Sequence, residues 1–302
     1  MKYDVCVFGG CSLDATYFQK EDLSYPDAAD IIQPGGKGSN QAVAASRAGA
    51  KVVMLTRLGN DDIGKLIVDN LKKNKIETKF IEMVNGLTND YSKIFVTKSD
   101  GANDIIRQTG AIDSFSPDLV EKYKHVLLNS KIILCQMKAP KEFSIKLINF
   151  CYENNLPLII TPCRPEKLKI TEQGNLELLD KITYITLNQK ECEVIFGTED
   201  INACVKKFPN KLIVTLGIDG VTYFDGKQVV NVPAIKHIIA KDSTGAGDTF
   251  CGNFAEGILN GLSLKDAITK AQFASQMQIQ IEGAQSGMPT KKELKKFIKQ
   301  LT

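Results

Sequence analysis

An aspartate stands directly behind a glycine-rich turn in the last third of the chain. Asp248 follows Gly245, Ala246 and Gly247, and an apolar helical pattern begins at this point. The N–H groups of such a turn, together with the positive end of a helix dipole, can bind an anion. A carboxylate beside that anion can take a proton from a hydroxyl group, which is the arrangement that phosphoryl transfer requires. A plain helix N-cap is the alternative interpretation of Asp248.

A second glycine-rich segment lies near the amino-terminal end, at residues 34–41. Its three glycines within four residues let the backbone approach a ligand, and the helical pattern Ala42–Ala48 follows it. Lys37 and Asn40 would face the same ligand. The spacing is neither that of a Walker A loop nor that of a dinucleotide fingerprint, because Gln41 stands where the third glycine of the fingerprint should be. Taken alone, the segment is equally compatible with a tight structural turn.

Four segments together resemble the ribokinase-like (phosphofructokinase-B-type) family of carbohydrate kinases, and among its members the ribokinases most. In chain order they are residues 35–42, 188–191, 215–220 and 242–250. The resemblance implies a three-layer α/β/α fold with a mostly parallel sheet and a small β-sheet lid. It also implies ATP-dependent phosphorylation of a sugar hydroxyl, with D-ribose and ATP giving ribose 5-phosphate and ADP, or the same reaction on a related sugar.

The resemblance assigns the chemistry to the carboxyl-terminal turn. Asp248 would be the base that activates the acceptor hydroxyl, and Gly245, Ala246 and Gly247 would form the anion hole. The resemblance also implies that Asp14, Gly36, Lys37 and Asn40 hold the acceptor sugar. We further predict that Asp248 and three residues that depart from the family pattern belong to the sugar site: Ser12, Lys138 and Arg164.

The nucleotide and its metal ions have implied positions as well. Mg²⁺ would be held through water by Asn188 and Glu191, and K⁺ by Asp242 and Thr244. The nucleotide would be bound by Asn188, Thr215, Gly217 and Gly220. Simpler roles exist for these residues, because Asn188 could cap a helix, Glu191 could stabilise a helix dipole and Thr215 could be an ordinary residue at a strand end.

The acceptor site departs from the ribokinase pattern. Ser12 stands where ribokinases have asparagine, Lys138 stands where they have glutamate, and Arg164 follows the next predicted strand. Two cations at strand ends lead to the hypothesis that the acceptor carries a carboxylate or phosphate. The alternative is that both side chains extend into solvent. Gly287 replaces the usual serine near the K⁺ site, which weakens the case for that ion.

Short apolar runs separated by amphipathic stretches predict a mostly parallel sheet with helices on both faces. Residues 13–34 and 90–108 break this rhythm with polar alternation, and we expect them to form the lid of a single domain that spans residues 1–302. The predicted buried strands are Tyr3–Phe8, Val52–Arg57, Ile132–Cys135, Leu158–Thr161, Tyr184–Leu187 and Leu212–Leu216.

Composition narrows the cellular context. The net charge of +3 is spread over the 302 residues, which argues against nucleic acid as a partner. No apolar run approaches the length of a membrane span, and eight scattered cysteines are typical of free thiols in a reducing compartment. We therefore expect a cytoplasmic protein. The family resemblance implies that its partners are a small sugar and ATP and that it forms a homodimer through the lid.

Three rival functions stay open at this point. The first is a kinase for another acceptor, such as a sugar acid, fructose, a fructose phosphate or a nucleoside. The second is a non-catalytic sensor of sugars or nucleotides, which would have no need of a base beside an anion hole. The third, a dinucleotide-dependent oxidoreductase, would need a glycine fingerprint after the first strand, and Gly9-Gly10-Cys11-Ser12 does not provide one.

Overall fold

The computed structural model describes residues 1–97, 103–169, 174–235 and 238–301. Within these residues the strands form one nine-stranded sheet and one four-stranded sheet. The strands are β1 (Tyr3–Phe8), β2 (Ser12–Phe18), β3 (Ile31–Gly35), β4 (Val52–Gly59), β5 (Ile81–Val84), β6 (Asp90–Val96), β7 (Asn103–Gln108), β8 (Ser130–Cys135), β9 (Leu158–Ile160), β10 (Tyr184–Asn188), β11 (Leu212–Thr215), β12 (Val221–Phe224) and β13 (Val229–Val232).

Helices cover the large sheet on both faces. The described α-helices are α1 (Lys37–Ala48), α2 (Asp62–Lys73), α3 (Asp118–Lys122), α4 (Lys124–Leu127), α5 (Lys141–Glu153), α6 (Asn175–Asp180), α7 (Gln189–Phe196), α8 (Ile201–Lys207), α9 (Ala246–Leu259), α10 (Leu264–Gln278) and α11 (Lys291–Leu301). Two buried apolar clusters pack between the helices and the sheet. The predicted three-layer α/β fold is confirmed.

The large sheet has the strand order β13-β12-β11-β10-β9-β8-β1-β4-β5. Its strands are parallel except that β12 is antiparallel to both of its neighbours. The six predicted strands are confirmed, with ends that shift by at most two residues. Because parallel strands end at the same edge, the segments that follow β1, β8, β9, β10 and β11 meet there, and ligands of open α/β sheets bind at that edge.

Helix α1 begins earlier than expected, at Lys37 rather than at Ala42. Gly36 caps it with a φ of 86°, and the N–H of Asn40 donates to the Gly36 carbonyl at 2.9 Å. A Cβ at Gly38 would lie 2.6 Å from the carbonyl oxygen of Gly10, so the glycine allows the first turn to pack against the loop after β1. Residues 37–41, five of the eight residues of the amino-terminal glycine-rich segment, are therefore helical.

Helices α1 and α9 pack in close contact because both present small residues. A Cβ at Gly252 would lie 2.6 Å from the Cβ of Ala44 and 2.6 Å from the backbone nitrogen of Ala45. Ala44, Ala45 and Gly252 are all fully or almost fully buried. This close approach brings the first turn of α1 beside the first turn of α9.

The small sheet has the order β3-β2-β6-β7, with β2 and β6 parallel and the outer pairs antiparallel. It contains the segments predicted as a lid, although 98–102 of the predicted range 90–108 lie outside the described residues. Asp14 pairs in register with Gln33 on one side and Ser92 on the other, so these side chains share one face. Asp14 is buried, which places that face toward the large sheet.

The helices of the described residues are either too short or too polar to cross a bilayer.

Candidate active site

The carboxylate of Asp248 lies in the first turn of α9, and the side chain is only 6% exposed. Its Oδ2 accepts a hydrogen bond from Nδ2 of Asn40 at 3.0 Å, and its Oδ1 accepts one from Nε2 of Gln41, also at 3.0 Å. An ionised carboxylate can only accept hydrogen bonds, so both amides favour its basic form. The contact between α1 and α9 thus supplies two fixed donors to one acid.

Burial raises the pKa of Asp248, because removal from water disfavours the charged form. The ammonium group of Lys37 and the amides of Asn40 and Gln41 act in the opposite direction. A carboxylate whose pKa is raised is a stronger base than an exposed aspartate. The environment suits proton abstraction from an alcohol.

Two further amides orient the donors of Asp248. Nε2 of Gln136, just after β8, donates to Oε1 of Gln41 at 2.8 Å. Nε2 of Gln285 donates to Oδ1 of Asn40 at 2.9 Å. Because each of these bonds occupies the carbonyl end of an amide, the NH₂ end is turned toward Asp248. Gln136 and Gln285 are buried, so the arrangement is shielded from solvent.

The turn before α9 forms a concave row of N–H groups. Gly245 adopts a left-handed conformation with a φ of 79°. The N–H of Ala246 donates to the carbonyl of Ser243 at 3.2 Å, whereas no carbonyl of the described chain accepts from the N–H groups of Gly247 and Asp248. A Cβ at Gly247 would meet nothing within 4 Å. Gly247 and Asp248 therefore offer free donors to open space beside the base, and Ala246 contributes through the shape of the turn.

A cavity of about 180 Å³ joins this turn to the edge of the large sheet. Lys37 crosses it, with Nζ 3.3 Å from Oε1 of Glu191. Burial opposes the charge on Lys37, but the acidic groups of Cys163, Glu191 and Asp248 outweigh burial and hold the pKa of Lys37 above its usual range. The cavity is lined by Lys37, Thr161, Thr186, Leu187, Asn188, Glu191, Thr215, Gly245, Gly247, Asp248, Phe250 and Cys251.

Asn188 and Glu191 border the cavity and also form a capping box at the start of α7. Oδ1 of Asn188 accepts from the N–H of Glu191 at 2.8 Å, and Oε2 of Glu191 accepts from the N–H of Asn188 at 3.0 Å. Asn188 and Glu191 therefore cap helix α7, as the simpler interpretation predicts, and both residues also line the cavity. A single carboxylate at this place fits Mg²⁺, which keeps several waters and binds mainly to phosphates.

The remaining nucleotide residues divide into two groups. Thr215 lines the cavity, although its hydroxyl donates to the carbonyl of Leu187 at 3.1 Å. Gly217, with a φ of 59°, borders open space. A Cβ at Gly220 would lie 2.1 Å from the carbonyl of Val232, so Gly220 permits the turn into β12. Gly220 therefore shapes the turn of the predicted nucleotide loop.

Ser12 and Asp14 lie together on the inner face of the small sheet. The hydroxyl of Ser12 donates to Oδ1 of Asp14 at 2.7 Å. Burial raises the pKa of Asp14, while hydrogen bonds from Ser12, Ser92 and the backbone of Gly36 and the charge of Lys138 oppose that rise. The structure thus brings together Ser12 and Asp14, the two residues of β2 that are predicted to bind the sugar.

Lys138 does not extend into solvent, so the alternative in which both cationic side chains do so is wrong for Lys138. Its Nζ lies 2.7 Å from Oδ2 of Asp90, whose side chain is only 1% exposed. Arg164 makes a looser contact, with NH2 3.7 Å from Oδ1 of Asp113, and is one-third exposed. Both cations therefore have acidic partners, and the idea of a free cation awaiting an anionic acceptor loses its basis.

Asp242 and Thr244 lie in the loop that precedes α9. The two carboxylate oxygens of Asp242 accept from the N–H groups of Thr244 and Gly283, each at 2.8 Å. The carbonyl of Thr244 accepts from Nε2 of Gln278 at 3.1 Å. Each of these oxygens already accepts a hydrogen bond from a protein donor, which competes with a bound K⁺.

Four residues of the site were not predicted from the sequence. The sequence marks Gln41 only as a departure from a glycine fingerprint, and it does not point to Gln136. Asp90 opens β6 and carries no local signal, because its partner Lys138 is 48 residues away. Gly283-Ala284-Gln285 resembles the end of the family pattern, which predicts no role for Gln285, although its amide contacts Asn40.

Comparison with known proteins agrees with this geometry. Residues 2–291 match the pfkB family carbohydrate kinases. The chain belongs to the pfkB family of carbohydrate kinases. It is 38% identical over 309 residues to the ribokinase of Lactococcus lactis subsp. lactis, covering 98% of this chain and 97% of that protein. It is 32% identical over 302 residues to the ribokinase of Bacillus subtilis, covering 98% of this chain and 99% of that protein.

A solved pfkB-type structure supports the same assignment. The ribokinase of Arabidopsis thaliana complexed with ribose and ATP superimposes with a TM-score of 0.80, at 25% identity and with 99% of each chain covered. The family and the carbohydrate kinase class predicted from the four sequence segments are confirmed.

Proposed function

We propose that the protein phosphorylates D-ribose with ATP, giving ribose 5-phosphate and ADP. The observation that carries the proposal is the buried carboxylate of Asp248 beside the free N–H groups at the start of α9. The ribokinases of L. lactis and B. subtilis support ribose as the acceptor, and the A. thaliana structure contains both ribose and ATP.

The reaction follows from the positions of these groups. Asp248 accepts the proton of the acceptor hydroxyl while the hydroxyl oxygen forms a bond to the γ-phosphorus of ATP. The bond between that phosphorus and the bridging oxygen breaks, and ADP leaves with the electron pair. The N–H groups of Gly247 and Asp248, with the ammonium group of Lys37, stabilise the charge on the phosphoryl oxygens.

Asn188 and Glu191 would hold Mg²⁺ through water. When bound, the ion neutralises phosphate charge. Both oxygens of the Glu191 carboxylate already accept hydrogen bonds, which favours contact through water over direct ligation. Thr215 and Gly217 would bind the nucleotide directly. Gly220 would contribute through the turn into β12 that it permits.

The small sheet would act as the lid over the acceptor. Ser12 and Asp14 offer hydroxyl and carboxylate groups to the sugar, and Gly36 and Asn40 face it from the start of α1. Closure of the sheet would exclude water from the cavity, so that ATP is not hydrolysed without an acceptor.

The acidic partner of Lys138 favours a neutral acceptor. Asp90 neutralises Lys138, and Asp14 and Asp248 add two further carboxylates to the acceptor side. Sugar acids and sugar phosphates would meet like charge there. The intact arrangement around Asp248 likewise argues against a sensor that has lost turnover.

We also propose that the protein is a cytoplasmic homodimer that pairs through the outer face of the small sheet. Ala15, Ile32, Lys93 and Ile106 are in register across the four strands and form one row on that face. Ile32 is 60% exposed and Ile106 is 59% exposed. A second copy would cover Ile32 and Ile106, whereas Ala15 is already buried. Analytical sedimentation of the wild-type protein and of the variant Ile32→Asp tests the proposed dimer. A wild-type protein that sediments as a monomer would contradict the proposal.

The test of the activity is the release of ADP from MgATP with ribose, deoxyribose, fructose, a sugar acid, a sugar phosphate and a nucleoside. We expect ribose to give the highest kcat/KM and the anionic acceptors to give almost none. A higher kcat/KM with another neutral sugar would overturn ribose and leave the kinase class intact. No ADP release with any acceptor would favour the sensor.

A further inference from the structure

The loop before α9 is tied to the loop after α10 by one buried side chain. Gln278, the last residue of α10, has no exposed surface. Its Nε2 donates to the carbonyl of Gly283 at 2.6 Å and to the carbonyl of Thr244 at 3.1 Å. The carboxylate of Asp242 joins the same two loops through the N–H groups of Thr244 and Gly283. The anion-hole turn is thus held by a closed set of hydrogen bonds.

The Gln278 amide occupies the place in which a cation would bind carbonyl oxygens. An amide NH₂ has two donors and carries partial positive charge, and here both donors are directed at carbonyls. The reverse orientation would place Oε1 against two carbonyl oxygens, so the neighbours decide the assignment. Oε1 itself has no hydrogen-bond partner in the described structure, so the two bonds made by Nε2 hold the amide in place.

The position that would supply a hydroxyl ligand is also closed. A Cβ at Gly287 would lie 2.4 Å from the backbone carbonyl oxygen of Gln278, so no serine can occupy this backbone without a shift. Gly245 packs against the same region, because a Cβ there would lie 2.1 Å from the carbonyl of Ala284. The two loops therefore approach each other closely through backbone atoms.

We propose that the side-chain amide of Gln278 replaces a monovalent cation in positioning the anion-hole turn, so that activity is independent of K⁺. Gln278 is a positioning residue, since it acts on Gly247 and Asp248 through Thr244. The proposal rests on the kinase function proposed above, because the turn matters only if it binds the transferred phosphoryl group.

The first experiment uses the wild-type protein. ADP release with ribose is measured in choline, sodium and potassium chloride at constant ionic strength. We expect kcat to agree within about twofold among the three salts. The NH₂ group of Gln278 supplies the partial positive charge that an ion would otherwise supply to the two carbonyls. An increase of fivefold or more in potassium would overturn the proposal.

The variant Gln278→Ala removes the amide and leaves a space beside the carbonyls of Thr244 and Gly283. We expect kcat in choline to fall by about 10-fold or more and to recover partly in potassium, since each aligned oxyanion donor contributes about 10²–10³ in rate. Gln280→Ala is the matched control, because its amide bonds only the carbonyl of Gln276 in the same helix end. A Gln278→Ala enzyme as active as the control in choline would contradict the proposal.

Thermal unfolding separates this proposal from the assignment of the reaction. We expect the Tm of wild type to be the same in potassium and choline, and the Tm of Gln278→Ala to rise in potassium if it folds. A rise in the wild-type Tm with potassium would overturn the proposal even if no sugar were phosphorylated. Absence of ADP release in every salt, with an unchanged wild-type Tm, would instead count against the kinase function alone.

Discussion

Gln41 and Asp248 are 207 residues apart in the chain, and Nε2 of Gln41 donates to Oδ1 of Asp248 at 3.0 Å. Asn40, the neighbour of Gln41 in α1, donates to Oδ2 at the same distance. Both glycine-rich segments of the sequence therefore meet at a single carboxylate. The base is held by donors on a different helix from its own, and its protonation should depend on those donors.

Replacing Asp248 by asparagine should remove the base and leave the nucleotide site intact. We expect kcat to fall by about 10²–10⁴-fold, with little change in the dissociation constant of ATP. Steady-state ADP release and calorimetric titration of ATP measure the two quantities. Asp62→Asn is the matched control, since Asp62 also lies in a first helical turn but is exposed. A kcat near that of wild type would remove Asp248 from the role of base.

Replacing Gln41 by methionine should raise the pKa of Asp248 further. A hydrogen bond to the charged form lowers a carboxyl pKa, so its loss acts in the same direction as burial. We expect the acid limb of the kcat–pH profile to move upward by about one to two pH units. Activity should recover at high pH, where Asp248 is ionised again. An equal loss at all pH values would show general damage to the site.

The pair of Lys138 and Asp90 should behave as a unit. Lys138→Gln leaves the buried carboxylate of Asp90 with only the backbone N–H groups of Gly110 and Ile112. We expect the KM for the acceptor to rise by about 10-fold, because an unpaired buried charge costs about 2 kcal/mol or more, while the KM for ATP stays constant.

The double variant Asp90→Asn, Lys138→Gln should recover part of the loss, which a double-mutant cycle quantifies. The exposed pair of Lys131 and Asp4 supplies the control cycle, for which we expect almost no coupling. Additive effects at Lys138 and Asp90 would contradict the pairing. New activity of Lys138→Gln with sugar acids would contradict the selection of neutral acceptors.

Glu256 should stabilise the carboxyl-terminal helices. It lies on α9, is 3% exposed, and pairs with Lys270 of α10 and, at 3.3 Å, with Lys291 of α11. Glu256→Gln leaves two lysines facing each other, and we expect the free energy of unfolding to fall by about 3 kcal/mol. Urea unfolding with an unchanged m-value measures this.

The exposed Glu121, which pairs with Lys146, provides the comparison for Glu256. Glu121→Gln should lower the free energy of unfolding by less than about 1 kcal/mol. Equal effects at Glu121 and Glu256 would show that the buried carboxylate has no special part in stability.

Local patterns were sufficient for most of the large sheet. The strand β1 has the predicted ends because the run Val5–Phe8 is apolar on both faces and is followed by Gly9 and Gly10. The start of α1 was missed, because Gly38 in a helix contradicts helix propensity, and only its contact with the carbonyl of Gly10 explains it. Tertiary contact overrides the local preference there.

The contacts of residues around the predicted acceptor site were harder to predict from the sequence. Lys138 was interpreted from its own charge, but its contribution depends on Asp90, which comes from a strand of the other sheet. In the same way, Gln278 shows no motif, and its importance follows from the two carbonyls that reach it. Partners that are distant in sequence leave no local signal in a single chain.

The contact between Gly252 of α9 and Ala44 of α1 has a consequence for how this enzyme can be altered. It couples the base and its amide donors mechanically, so they should stay together in any movement of the protein. Lys138 and Asp90 belong to neither helix. Natural selection or engineering can therefore change the acceptor preference through Lys138 and Asp90. Asp248, which removes the proton, and its two amide donors need not change.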